Sequence, residues 1–203
     1  MGIFGLIVSI GAWGLLHSLL ASLKVKALAS QWMGPSTDRF YRLVYNLFAV
    51  LSLVPVAILF VILPDRRLYS VPLPWAPLLW TGQFMALGML VLGILQTGVF
   101  SFLGLSQLGS GAEGPARLVT TGLYRYVRHP LYFAGLVLLW LSPTMTVNRL
   151  VATAAATIYI VMGASFEERK LNVLFGSAYR EYAARTPMFI PFLKGRNPGP
   201  VRS

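Results

Sequence analysis

In 203 residues, 56% hydrophobic and only 11% charged, mean hydropathy reaches +0.68. A soluble domain carries about a quarter charged residues, so an ordinary cytosolic protein is excluded. The absence of cysteine removes disulfides, thiolate metal sites and cysteine nucleophiles. The excess of 17 Lys+Arg over 6 Asp+Glu, a net charge of +11, is compatible with nucleic acid or with a membrane protein that gathers cations on one side, and their positions decide.

Gly2 to Leu23 is a run of 22 residues without a formal charge, and Leu43 to Leu63 is a second of 21. As helices, both are long enough for a hydrocarbon core of about 30 Å. The first has no basic leading region and too long an apolar run for a cleaved signal peptide, so it is expected to remain as a span. No charge falls between Leu68 and Ala112, and its helix-compatible part, Pro77 to Phe102, gives a third span. Leu131 to Phe166 holds 36 residues and one charge, Arg149. As one helix it would be roughly 54 Å long. Pro143 removes a helical donor and Asn148-Arg149 supplies a polar turn, so a hairpin of two shorter spans is expected, the fourth from Pro130 to Leu141. Residues 167–185 then pattern as an amphipathic helix with Leu171, Leu174, Phe175 and Ala178 on one face.

The expected fold is therefore all-α: one polytopic membrane domain over 1–203, with three spans in 1–102, a loop, hairpin and amphipathic helix in 103–193, and a flexible tail over 194–203. Four cations fall in 24–42, three in 103–130 and seven after Phe166, a total of 14. The opposite side holds three, Arg66, Arg67 and Arg149. This asymmetry places the N-terminus outside and the C-terminus in the cytoplasm, as in a bacterial inner membrane, and accounts for the charge without nucleic acid. The lipid bilayer is the expected partner.

Gly109-Ser-Gly-Ala-Glu-Gly114 matches G-x-G-x-x-G, but no strand pattern precedes it and Pro115 follows, so it reads as a loop. Gly82, Gly88, Gly93 and Gly98 in span three read better as close helix packing than as a ligand cavity. His17 and His129 have no partners at metal-ligand spacing, and no metal site is expected. His17, with Ser18 and Ser22, lies toward the cytoplasmic end of span one, where a polar group faces protein or a cavity; it is a candidate substrate-side residue.

Leu118 to Tyr132 is more informative. Gly122 permits a turn, and Pro130 fits a first helical position while biasing His129 away from the α region. The free N–H groups opening span four, beside Arg128, form a natural anion site, although interfacial anchoring is the plainer alternative. Directly after span five come Glu167-Glu168, two acids that are expensive at a span exit unless paired or wet. The hairpin returns them toward Arg128 and His129. Acidic, aromatic and anion-binding groups then share one cytoplasmic pocket, suited to a ligand with a carboxylate and cations.

At these residues the chain resembles the integral-membrane methyltransferases that use S-adenosylmethionine, the superfamily of isoprenylcysteine carboxyl methyltransferase and its bacterial relatives. The likeness runs in order through Leu118-Val119, Gly122, Tyr124, Arg128-His-Pro-x-Tyr132, Glu167-Glu168, Leu171, Phe175-Gly176, Tyr179 and Tyr182. His17-Ser-x-x-Ala21, Phe102-Leu-Gly-Leu-x-Gln107 and Trp140-x-Ser-Pro-Thr-Met-Thr146 further resemble the bacterial methanethiol S-methyltransferases. The resemblance implies a cofactor pocket formed by Ala116, Arg117, Leu118, Val119, Tyr124, His129, Pro130, Leu131, Tyr132 and Glu167. It also implies catalytic roles for Arg128 and Glu168, Arg128 either orienting the acceptor or stabilising the loop. The implied reaction moves the sulfonium methyl to a small thiol or another lipophilic acceptor. Prenylcysteine carboxyl methylation and phospholipid N-methylation are the alternatives, and a non-enzymatic membrane accessory is the rival from another class. By resemblance, the prenylcysteine enzymes carry an arginine four residues before the first glutamate of the pair. This chain has Gly163 there, which favours an uncharged or thiol acceptor.

Overall fold

A computed structural model describes residues 2–34, 37–100, 105 and 117–191. Their helices are α1 (Gly2–Ala21), α2 (Leu23–Met33), α3 (Thr37–Ile62), α4 (Ala76–Thr97), α5 (Pro130–Trp140), α6 (Val147–Phe175) and α7 (Ser177–Arg185). Four of them, α1, α3, α4 and α6, are long and apolar enough to cross a membrane, whereas α5 is apolar but only 11 residues long. The protein is an all-α polytopic membrane protein. Phe4, Leu15, Val61, Phe84 and Ile158 are all exposed, as expected where lipid tails replace water as the solvent. Contacts divide the chain into two compact units: residues 1–70, 98–116 and 144–156, and residues 71–97, 117–143 and 157–203.

In the first unit, polar clasps join α1 to α3. Trp13 Nε1 donates to the Ala49 carbonyl at 3.1 Å, the Tyr41 hydroxyl donates to the Leu20 carbonyl at 2.6 Å, and the Tyr45 hydroxyl shares a 2.6 Å hydrogen bond with His17 Nε2. Lipid tails compete on equal terms for apolar faces, so such bonds help to specify which helix faces pair. Part of the cationic segment 24–42 folds as α2, whose N-cap Ser22 accepts the Val25 N–H at 3.3 Å. Gly34, at φ +81°, ends it.

Two short strands in this unit lie outside the expected pattern. β1 (Arg67–Ser70) pairs antiparallel with β2 (Thr144–Thr146), setting Arg67 opposite Thr146 and Ser70 opposite Thr144. The ribbon joins the two segments that hold the three cations expected outside. It also displaces the expected turn at Asn148-Arg149, which instead lies in the first turn of α6. Asp65 caps that turn, accepting from the N–H groups of Arg66 at 2.8 Å and Asn148 at 3.0 Å. Slight desolvation raises the Asp65 carboxyl, but hydrogen bonds from Asn148, Thr146, Arg66 and Val147 outweigh it and hold the group below its usual range. The buried Asn148 amide donates to the Leu63 and Pro64 carbonyls just beyond α3.

In the second unit, α4 packs on α5, and two of the four glycines of span three explain the close approach. A Cβ at Gly82 or Gly93 would come within 2.5 Å of a methyl of Leu141 or Leu131, respectively, while Gly88 faces open space. The Gln83 amide donates to the Leu138 carbonyl at 2.8 Å, and Trp140 Nε1 donates to Thr157 Oγ1 at 2.9 Å on α6. An 11-residue α5 is about 16 Å long, roughly half a hydrocarbon core, so it does not cross alone. At the other end of α6 the expected single amphipathic helix over 167–185 is two helices. α6 continues to Phe175, and Gly176, at φ +56°, turns the chain into α7.

Candidate active site

The site grows from the turn before α5. Gly122 adopts φ +62° and opens a short 3-10 turn over Gly122–Arg125. Gln96 of α4 accepts the Leu123 N–H at 3.3 Å. The chain then runs through buried Val127 to His129, whose carbonyl accepts the Phe133 N–H at 3.0 Å, so His129 is the N-cap and Pro130 the first helical residue. The segment after α7 lies across this turn. The N–H groups of Arg128 and His129 donate to the carbonyls of Pro187 and Met188 at 2.9 and 3.1 Å, and the Tyr182 hydroxyl donates to the Tyr124 carbonyl at 2.6 Å.

Glu168 is the centre of the polar network. Its Oε1 accepts from Arg128 Nε at 2.9 Å, His129 Nε2 at 2.8 Å and the Tyr179 hydroxyl at 2.5 Å, and its Oε2 pairs with Arg128 Nη2 at 2.8 Å. The remaining guanidinium nitrogen, Nη1, donates to the carbonyls of Ala183 and Thr186 at the C-terminal end of α7. A cation is favoured at that end of a helix. Burial and then Glu168 push the Tyr179 phenol up, and burial pushes Tyr182 up to about 12, the nearby Arg128 charge opposing it.

Glu167 turns the other way. Its side chain is 44% exposed, against 20% for Glu168, and Oε2 lies 3.6 Å from His129 Nδ1. The Tyr132 hydroxyl bonds to it. The His129 and Tyr132 rings stack with centroids 5.3 Å apart, and Phe189 closes the other flank of His129 at 5.8 Å. Burial and the Glu167 charge raise the Tyr124 phenol. The result is a carboxylate and an imidazole nitrogen bordered by aromatic rings.

The structure thus gathers Tyr124, Arg128, His129, Tyr132, Glu167 and Glu168 in one place. Pro130 is buried at the helix start and Leu131 packs toward Gly93 of α4. Arg117, Leu118 and Val119 form the irregular segment leading into the turn. Ala116 and the Gly109–Gly114 pattern lie outside the described residues. His17 belongs to the first unit, where its ring stacks on Trp13 at 5.0 Å and bonds to Tyr45. Beside the start of α5, the Arg128 and His129 N–H groups and the guanidinium are taken up by partners within the protein. Tyr179, Thr186 and Phe189 were not anticipated as site residues. Tyr179 did carry a signal as part of the ordered motif, but the break at Gly176 hides its approach to Glu168. Among the described residues, no group of three or more His, Cys, Asp or Glu is arranged to hold a metal ion.

Residues 23–186 match the family described as protein of unknown function, DUF1295. Methanethiol S-methyltransferase 1 of Bradyrhizobium diazoefficiens is 34% identical over 191 residues, covering 87% of this chain and 62% of the relative. The methanethiol S-methyltransferase of Mycobacterium tuberculosis is 30% identical over 200 residues, 92% of this chain and 77% of the relative. Protein-S-isoprenylcysteine O-methyltransferase B of Arabidopsis thaliana is 35% identical over a shorter stretch of 80 residues, 38% of this chain and 41% of the relative. The chain therefore spans less than two thirds of the Bradyrhizobium relative. No solved structure matches it. With the family match running from α2 to the end of α7 and likeness to the mycobacterial relative over most of both chains, the protein belongs to the DUF1295 family, akin to the methanethiol S-methyltransferases.

Proposed function

We propose that the protein is a membrane methyltransferase that carries the methyl group of S-adenosylmethionine to a small thiol. The observation that supports this best is the 3.6 Å approach of His129 Nδ1 to Glu167 Oε2. Glu168, an ionised acceptor already receiving Arg128 and Tyr179, takes the hydrogen on His129 Nε2. The proposal takes the ring as singly protonated, so that Nδ1 and the second carboxylate can both accept from a ligand donor. An ammonium group suits two such acceptors, and the Glu167 charge favours a cationic ligand over a neutral one.

S-adenosylmethionine, when bound, supplies an electrophilic methyl on a sulfonium, so that attack by a thiolate forms an S–CH3 bond as the methyl–sulfonium bond breaks and the thiol proton passes to water. Such a displacement needs little covalent help, and holding the reactants can supply much of the acceleration. The carboxylate of Glu167 and Nδ1 of His129 bind the ammonium end. Arg128 and Glu168 serve by holding the turn against α7, the loop-stabilising of the two roles expected for Arg128. The raised Tyr124 and Tyr182 phenols stay protonated near neutral pH and do not compete as nucleophiles. By resemblance, residues 116–119 belong to the cofactor pocket, and His17 is the candidate substrate-side residue read from its depth in the first span. The absence of an arginine at Gly163, with the names borne by the bacterial relatives, favours a small thiol over a prenylcysteine carboxylate. The N-terminus outside and the C-terminus in the cytoplasm complete the proposal.

The test is a transfer assay with methyl-labelled S-adenosylmethionine against methanethiol, prenylcysteine and an aminophospholipid in parallel. Thiol methylation that rises with pH as the acceptor ionises is expected. Esterification of prenylcysteine without thiol methylation overturns the acceptor assignment. Neither binding nor transfer, in detergent and in lipid, overturns the enzyme.

A further inference from the structure

We infer that Tyr179 is a positioning residue which, through Glu168, sets the protonation pattern in which His129 faces the methyl-donor site. The consequence for cofactor binding rests on the reading above, whereas the geometry stands without it. Tyr179 is 3% exposed, its ring lies edge-on to Tyr182 at 6.0 Å, and its hydroxyl reaches the same Glu168 oxygen that receives His129 Nε2. One carboxylate oxygen thus serves three donors, from α7, from the imidazole and from the Arg128 guanidinium.

Sharing has a chemical effect. The phenol and the guanidinium draw off much of the carboxylate charge, so Glu168 accepts one ring N–H without stabilising a doubly protonated ring. Removing the phenol leaves more of that charge for the imidazole and favours a second ring proton. That proton would sit on Nδ1, facing Glu167, and abolish the acceptor on the ligand side. The charged and titratable groups around the ring and its direct partners are Glu167, Glu168 and Tyr159 from α6, Tyr132 from α5, Tyr179 and Tyr182 from α7, and Arg128 and Tyr124 from the turn. Of the two α7 phenols, Tyr179 is hydrogen-bonded to the carboxylate that holds His129, while Tyr182 bonds to the Tyr124 carbonyl.

The chain contains two histidines, His17 and His129, so ring nitrogen NMR on histidine-labelled protein reports on His129 once His17→Gln assigns the other. At neutral pH the wild type should show Nε2 protonated and Nδ1 bare; the opposite tautomer overturns the inference whether or not any variant folds. In Tyr179→Phe, which keeps the ring, the doubly protonated form should persist to higher pH than in the wild type. Tyr182→Phe should leave the midpoint in place. An unmoved midpoint in folded Tyr179→Phe, or an equal shift in both variants, reduces Tyr179 to packing. Equilibrium binding of S-adenosylmethionine should fail at a correspondingly higher pH in Tyr179→Phe. If the NMR results hold but the wild type binds no S-adenosylmethionine, the positioning role stands and the cofactor reading falls.

Discussion

Two adjacent carboxylates should respond oppositely to the same substitution. Glu168→Gln removes the charge that receives four hydrogen bonds from Arg128, His129 and Tyr179, and sets an amide N–H against the Arg128 donors. Breaking a buried ion pair from one side costs about 3–5 kcal/mol. The Arg128 and Glu168 side chains are 12% and 20% exposed, so partial screening brings the expected loss to about 2–4 kcal/mol. For a chain of this size that is roughly a 5–12 °C fall in midpoint temperature. Glu167→Gln, on a side chain 44% exposed, should stay within about 0.5 kcal/mol of wild type. It should nevertheless weaken S-adenosylmethionine about 10–100-fold, the value of one charge-assisted hydrogen bond to an ammonium. Thermal unfolding in detergent and equilibrium binding of the labelled cofactor read both effects. Normal binding in folded Glu167→Gln, or unfolding at the wild-type temperature in Glu168→Gln, would refute the division of labour between the two acids.

Gly93→Val should destabilise the α4–α5 contact by about 1–3 kcal/mol through overlap with Leu131, whereas Gly88→Val, where nothing lies within 4 Å, should change thermal stability little. Tyr182, held up to about 12 in the fold against about 10 when unfolded, contributes stability that is fully present below about pH 10 and disappears as pH rises toward 12. Alkaline titration of phenolate absorbance and melting should show that loss, and Tyr182→Phe should show less of it, the raised Tyr124 and Tyr179 phenols supplying the remainder. Since the chain has no cysteine, Leu68→Cys and Ser177→Cys each give a single label site. Impermeant reagent applied to whole cells should reach the first and not the second, and equal labelling from outside would defeat the proposed orientation.

The spans were legible because crossing a membrane demands many consecutive apolar residues, a property of composition that does not depend on which helix meets which. The ribbon was not. Arg67–Ser70 and Thr144–Thr146 are too short to show alternation, and their pairing is made by backbone groups of segments far apart in sequence. α2 was hidden because its lysines satisfy a topology count as well in a loop as in a helix. The break at Gly176 was masked by apolar residues that keep helical spacing across it.

The candidate site divides along the same line. Its side chains were legible, since an Arg-His-Pro turn and a Glu-Glu pair at a span exit are costly placements that invite partners. What each does was decided by groups without a sequence signature: the carbonyls of Ala183, Thr186, Pro187 and Met188. By taking up Nη1 of the guanidinium and two backbone N–H groups, these carbonyls hold the turn against α7 and the segment after it. In the proposed function, the ligand-facing chemistry falls to Glu167 and Nδ1 of His129. Residue type alone could not distinguish the two glutamates, because the distinction arises when α7 reaches Glu168 and leaves Glu167 exposed. The separate surroundings of the two glutamates are therefore a conclusion of the fold, whereas the presence of a polar site at that end of α6 follows from the sequence.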